Sequence, residues 1–449
     1  MKQSTGDMTR GPLGKQILIF SLPLMLSNVL QVLFNMADIA VIGQFSGSIS
    51  LGAVGSTTTL VTLFTGILIG IAGGENVLVA LHYGARNKKE VCETVHTSAI
   101  ISLLIGILIL AVGVLFSRNI LQLLNTKEEL IDKATSYLRI YFLGMPALAL
   151  YNFGNAVFSA VGDTRRPLIY LSAAGVINVG LNLFFVIVCG MDVEGVALAS
   201  IISQYISASL ILLALFRSRG IYGMHLCDLK LTPDKAKAVL ALGIPSGLQN
   251  GIFQLANLFI QAGVNTFSAT MVAGNSAAAN ADALVYDVMA AFYTACGSFM
   301  GQNYGAKKKK RVLHSYVISI AYSFGVGAIM GVLLVIFGRQ FLHLFSNDSA
   351  VIEAGMKRLM IMGFSYCVSA FMDSAIAASR GLGKSVIPMI IVILGSCVFR
   401  IVWVNTIFAY FKTIPSLYLL YVFSWSITAI AEIIYFISVY RKAVKGWPD

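Results

Sequence analysis

The seven residues Tyr83-Gly84-Ala85-Arg86-Asn87-Lys88-Lys89 return as Tyr304-Gly305-Ala306-Lys307-Lys308-Lys309-Lys310, 221 positions further along the chain. Each copy is a short basic loop that closes a long apolar run. The same shift carries Leu138 to Leu359, Asn152 to Asp373, Gly162 to Gly383 and Pro167 to Pro388. One residue more carries Pro23 to Pro245, Asn28 to Asn250 and Asn35 to Asn257. The chain therefore reads as a duplication, and the runs between the loops say what was duplicated.

A helix needs about 20 apolar residues to cross a hydrocarbon core of about 30 Å. Runs of that kind fall near 16–42, 53–80, 95–116, 137–160, 168–190 and 194–216, then near 238–268, 277–302, 314–337, 358–381, 386–411 and 416–439. The expected fold is an all-α integral membrane protein with twelve transmembrane helices in two homologous six-helix lobes. The N-lobe is placed at 1–220, a cytoplasmic linker at 221–236 and the C-lobe at 237–449. Because span 1 matches span 7, the repeats share one topology and are related by an axis along the membrane normal. Pro23 and Pro245 lie inside the long first and seventh runs, where each removes a backbone hydrogen bond and permits a bend. The first run exceeds the h-region of a cleaved signal peptide and has a retained repeat partner, so it reads as a helix.

Composition agrees. Hydrophobic residues make up 57% of the 449 and charged ones only 12%, against about 25% charged in soluble domains. The net charge of +12 does not point to nucleic acid, because the basic residues sit in short loops between apolar runs. With the N-terminus inside, 23 Lys and Arg fall on that side and 8 on the other, with Arg400 alone inside a span. That asymmetry puts both termini in the cytoplasm. The six cysteines are scattered without CxxC spacing and read as small buried hydrophobes. Gly383-Lys384-Ser385 resembles the end of a P-loop, but Ala378 stands where its first glycine is needed. With no ATPase or hydrolase motif, the energy source is expected to be an ion gradient.

Polar residues inside the spans mark the candidate site. In span 1, Asn28, Gln31, Asn35 and Asp38 share one helical face; in span 7, Asn250, Gln254, Asn257, Gln261 and Asn265 do the same. A stripe of amides facing lipid would cost several kcal/mol, so these faces point into the bundle. They either line a cavity or hydrogen-bond between helices. Asp38 is the acidic member. A carboxyl in a span is costly to ionise and suits proton exchange or Na⁺ held with amide oxygens; a neutral, hydrogen-bonded structural carboxyl is the other reading. Asn152 with Asn155 and Asn178 with Asn182 add polar pairs in spans 4 and 5. The second half contributes Asp282, Asp287 and Asp373. Arg400 and Asp287 lie at similar depth, which pairs them and leaves Asp373 as the free acid. Glu75 and Glu432 also lie at depth, without an assigned role.

These residues together resemble the MATE (multidrug and toxic compound extrusion) family over essentially the whole chain. The resemblance rests on Pro23 followed by Asn35-Met36-Ala37-Asp38, on Val54-Gly55 and on the two Tyr-Gly-Ala-basic loops. Gly162-Asp163-Thr164, Gly301-Gln302-Asn303-Tyr304-Gly305-Ala306 and the duplicated six-span halves complete it. It implies alternating access between two lobes, with export of organic cationic amphipathic compounds in exchange for H⁺ or Na⁺ and no other cofactor. Carried over by position, Asp38 matches the acidic coupling residue of helix 1, and Asn152, Asn155, Asn178 and Ser200 match polar positions around it. Asn182 stands where the DinF-like branch often has a second acid, and Gln254 or Phe253 where the NorM-like branch has a glutamate. Asp373 approximately matches the NorM-like acid of helix 10. The coupling set is thus Asp38, Asn35, Asn152, Asn155, Asn178, Asn182, Ser200 and Asp373. The substrate cavity is drawn from Gln31, Asn250, Gln254, Asn257, Gln261, Asp282 and Asp287. The implied setting is a monomer in the bacterial inner membrane, with small-molecule substrates and lipid as partners.

Three rivals stand beside this reading. A lipid-linked oligosaccharide or lipid II flippase would need deep Arg or Lys for pyrophosphate. A membrane enzyme would need paired catalytic groups, yet His82, His96, His225, His314 and His343 fall in loops or near span ends. A channel would not need duplicated lobes.

Overall fold

The computed structural model describes residues 7–447. The apolar runs fold into α1 (Leu13–Phe45), α2 (Gly47–Gly84), α3 (Lys88–Leu123), α4 (Glu128–Phe142), α5 (Met145–Ala160), α6 (Arg165–Val188) and α7 (Val193–Phe216). After the linker come α8 (Pro233–Val264), α9 (Ala269–Gly305), α10 (Lys309–His343), α11 (Ser349–Gly381), α12 (Val386–Phe411) and α13 (Ile414–Ala443). Among the described residues, 10 helices are long and apolar enough to cross a membrane. The other two expected spans differ for physical reasons. Span 7 is α8, whose amide stripe dilutes its apolar surface. Span 4 is divided into α4 and α5, because Pro146 in the first turn of α5 cannot donate to the preceding turn. The equivalent position in α11 is Cys367, and α11 runs unbroken.

The duplication is written into the geometry. Adding 221 to the starts of α3, α4, α6 and α7 gives Lys309, Ser349, Val386 and Ile414, the starts of α10, α11, α12 and α13. Arg86 and Lys307, at the ends of α2 and α9, both adopt the left-handed conformation with φ 55°, which turns the chain out of each helix. A wide π turn closes α6 at Phe184–Val188 and recurs in α12 at Val404–Phe408. Many large apolar side chains lie outside: Leu115 is 67% exposed, Val176 70% and Phe364 70%. Small ones lie inside, as along α10, where Ser315, Ser319, Ser323, Gly327 and Gly331 recur every fourth residue and are buried. That inversion suits a hydrocarbon solvent, where close helix packing replaces the hydrophobic effect between helices.

The chain forms two compact units, which do not coincide with 1–220 and 237–449. One comprises Leu26–Gly247 with Asp7 among its described residues; the other comprises Met8–Met25 and Leu248 onward. Helices α1 and α8 are each divided between the units, and each division falls just after the helix proline, Pro23 or Pro245. The linker at 221–236 falls within the first unit. Tyr222 and Met224 are buried against Val79 and Phe158, the Thr232 amide donates to Thr97 Oγ1 at 3.1 Å, and Lys235 pairs with Glu90. In this unit α2 lies so close to the start of α8 that a Cβ on Gly74 would sit 2.6 Å from the Gly243 nitrogen. The second unit packs α9, α10, α11 and α13 around Met289, Tyr366, Leu417 and Tyr418.

Candidate cation and substrate sites

Asp38 lies two turns before the end of α1, one turn before the buried pair Val41 and Ile42. Two helices reach it. Asn182 of α6, just before the π turn, donates to Oδ1 at 2.5 Å, and Ser200 of α7 donates to Oδ2 at 3.3 Å. Asn182 also donates to Asn178 Oδ1, one turn back, at 3.2 Å. A π turn shifts side-chain phase by one residue and recurs at functional sites; here it begins two residues after the one that holds the acid. Tyr137 and Tyr141, stacked with centroids 5.8 Å apart, are electrostatic neighbours of Asp38. Val41, Ile42, Val54, Val186, Val193 and Val196 pack into a buried apolar cluster together with Tyr137.

Among the described residues no lysine or arginine pairs with Asp38. A carboxylate held only by a neutral amide and a hydroxyl is uncompensated in its charged form, so either a proton or a bound cation must complete it. Asn182 Oδ1 is buried and accepts no hydrogen bond, which adds a free hard oxygen of the kind Na⁺ coordinates. The remaining coupling residues stand further off. Asn152 and Asn155 of α5 make no hydrogen bond to Asp38, and each leaves a buried polar atom, Nδ2 and Oδ1 respectively, unpartnered. Gln31 and Asn35 are exposed on α1.

The second unit solves its buried charges differently. Arg358 of α11, 8% exposed, donates to Asp282 Oδ2 through Nε at 2.8 Å and Nη2 at 2.5 Å. Tyr366 also donates to Asp282, and Arg358 donates to Asn275. Tyr418 reaches Asn275 at 2.7 Å, and Asn275 in turn donates to Gln261 at 3.4 Å. Asp282 and Gln261, expected in a cavity wall, are thus parts of an interhelical network. The pairing of Arg400 with Asp287 is also corrected. Arg400, 0% exposed, donates to Asn257 Oδ1 at 3.1 Å and Ser424 Oγ at 3.3 Å, with the rings of Phe253 and Tyr421 at 4.5 and 4.7 Å. Asp287 and Gln254 are partly buried on α9 and α8, and Asn250 has the same exposure class.

Asp373 accepts from Tyr286 at 3.5 Å, while its Oδ2 is buried without a partner. Arg380 and Arg400 are its electrostatic neighbours, and Arg380 is shared with the fully buried Glu432. Asp373 is therefore offset in part by fixed cations, as Asp38 is not. The charge count sets Arg358 among the eight basic residues outside the spans, whereas the structure buries it in α11. The signal was Asp348, whose side chain caps α11 by accepting from the Ala350 amide at 2.9 Å. A helix starting there carries Arg358 about 14 Å inward at about 1.5 Å per residue.

The MatE family model matches residues 23–184 and 245–407, one match in each half. The "Probable multidrug resistance protein YpnP" of Bacillus subtilis (strain 168) is 29% identical over 370 residues, 80% of each chain. The "FAD transporter" of Shewanella oneidensis is 24% identical over 357 residues, 79% of this chain and 78% of the relative. A solved structure described as an outward-facing conformation of a multidrug resistance MATE family transporter of the MOP superfamily superposes with a TM-score of 0.91. It has 21% identity and covers 99% of both chains, a likeness of fold.

Proposed function

This chain belongs to the MatE family, and from that premise we propose that it is a secondary antiporter. In this reading it exports organic cationic amphipathic compounds, drugs or toxins among them, in exchange for H⁺ or Na⁺ taken up at Asp38. The observation that carries the proposal is the contrast between two acids. Asp282 is neutralised by Arg358 within the protein, so it has no use for a mobile cation. Asp38 is held only by neutral donors, so its charge can be balanced by an ion that arrives and leaves. The names of the multidrug relatives support the cargo class, and the count of basic residues supports cytoplasmic termini in a bacterial inner membrane. No cofactor beyond the coupling ion and no second subunit enters the proposal.

The flippase reading and a cargo such as FAD, which carries a diphosphate, both ask for an accessible deep cation. Arg358 is occupied by Asp282, and Arg400 is enclosed by Asn257, Ser424 and three rings. Neither offers its charge to cargo, which favours the cationic class.

The test is ethidium efflux from proteoliposomes under separately imposed Na⁺ and proton gradients. Wild type accelerates with one of the gradients; Asp38→Asn, which keeps the shape but cannot change charge, loses that response while retaining its melting temperature. Undiminished gradient-driven efflux from the variant would move coupling to Asp373 or elsewhere.

A further inference from the structure

At one membrane end of the first unit, α6 begins and α7 ends side by side, and between them lies a cavity of about 470 Å³. Its mouth carries Arg166 and Arg217; its walls are Tyr170, Leu210, Leu213 and Ala214. We propose that this groove binds one anionic phospholipid, with the phosphate on the two arginines and an acyl chain along the leucines.

Each part of the groove has a physical reason. Leu213 is 50% exposed and Ile169, one turn along α6, is 60% exposed, so the groove opens onto the apolar exterior that faces hydrocarbon. Arg166 is set in place by its neighbours. Its Nε meets Asp163 at 3.1 Å, and its guanidinium lies 5.6 Å from the Phe158 ring centroid. That leaves its terminal nitrogens to meet a phosphate in the forked geometry that guanidinium favours. Arg217 is exposed, and among the described residues its side chain has no protein partner. Arg165 and Arg219 lie beside the pair in the sequence, so the two helix ends carry four arginines, of which, among the described residues, only Arg166 meets an aspartate, Asp163. The α6 N-terminus adds the positive end of its dipole, while the Arg166 amide itself is spent on Asp163. A soluble anion would find the arginines but gain nothing from the leucines. The pairing of fixed cations with an apolar channel selects a charged headgroup that carries a tail.

The experiment is native mass spectrometry of the full chain in detergent, titrated with phosphatidylglycerol. Wild type should retain one lipid molecule, phosphatidylcholine with the same tails should bind roughly tenfold more weakly, and Arg166→Gln with Arg217→Gln should weaken phosphatidylglycerol to a similar degree. Arg217→Gln alone, at an exposed position, covers the case in which the double variant fails to fold. Ala214→Phe, which fills the groove and keeps the charges, should also expel the lipid. Equal retention of phosphatidylcholine, unchanged binding by the arginine variants, or displacement by glycerol phosphate at equal concentration would overturn the proposal. The last result would mean a site for free anions.

Discussion

Two aspartates at the residue scale show how this chain treats charge away from water. Asp282 receives a two-pronged contact from Arg358 and a third from Tyr366. Removing one partner of such a pair leaves the other uncompensated, at roughly 3–5 kcal/mol. Arg358→Leu should therefore lower the melting temperature sharply in detergent, and adding Asp282→Leu should recover much of the loss. A double-mutant cycle with no coupling would refute that ion pair. Asp38 has no such partner, and Asp38→Asn should cost little stability. Sequence made Asp38 legible because a lone acid stands out in an apolar run. It hid Arg358, since a basic residue near the start of a run looks the same whether it lies in a loop or two turns inside a helix. It also could not separate cavity-lining amides from structural ones. Asn257 and Gln261 share a face with Gln254, yet only the positions of Arg400 and Asn275 show which of them are engaged.

Helices here depend on small residues and on their ends. Gly74 allows α2 to approach the α8 backbone within the span of a missing methyl group. Gly74→Val should destabilise the protein by about 1–3 kcal/mol through overpacking, read as a fall in melting temperature. At the start of α7, Asp192 accepts from Lys133 and from Ser50 at 2.9 Å. Burial raises the carboxyl's pKa, but the Lys133 and Ser50 hydrogen bonds outweigh that and leave it below its ordinary value. A depressed folded-state pKa contributes stability above the unfolded value, and that stability fades as pH falls through the folded one. Asp192→Asn should thus cost roughly 0.5–1 kcal/mol near pH 7 and almost nothing near pH 3, as the pair is partly solvent-exposed. Thermal unfolding of both proteins across that range decides it; a cost that persists in acid would rule the ion pair out. Loop motifs and prolines mark most helix ends in advance. The division of span 4 at Pro146 escaped notice because its apolar character continues across the break.

Across the whole molecule, one period of 221 residues relates helix starts and left-handed turns in the two halves, and a π turn recurs after 220. The duplication and the fold class could be read from the sequence because both rest on local apolarity and repetition. The exchange of the N-terminal part of α1 and the first part of α8 between compact units could not, since it depends on contacts between distant segments. Orientation is open to a direct check with two native thiols. Cys189 and Cys227 are both exposed and flank α7, which places them on opposite membrane faces. With cytoplasmic termini, an impermeant maleimide applied to intact cells should label Cys189 and spare Cys227, with Cys189→Ser and Cys227→Ser assigning the signal. The reverse pattern would invert the topology.

The central claim is that the charge of Asp38 is balanced by an exchangeable cation and not by the protein. Infrared difference spectroscopy of the reconstituted protein, taken on stepping pH or adding Na⁺, observes the carboxyl directly. The account predicts a carboxyl band that changes with one of these steps in wild type and is missing from Asp38→Asn. Identical difference spectra from the two proteins would contradict it.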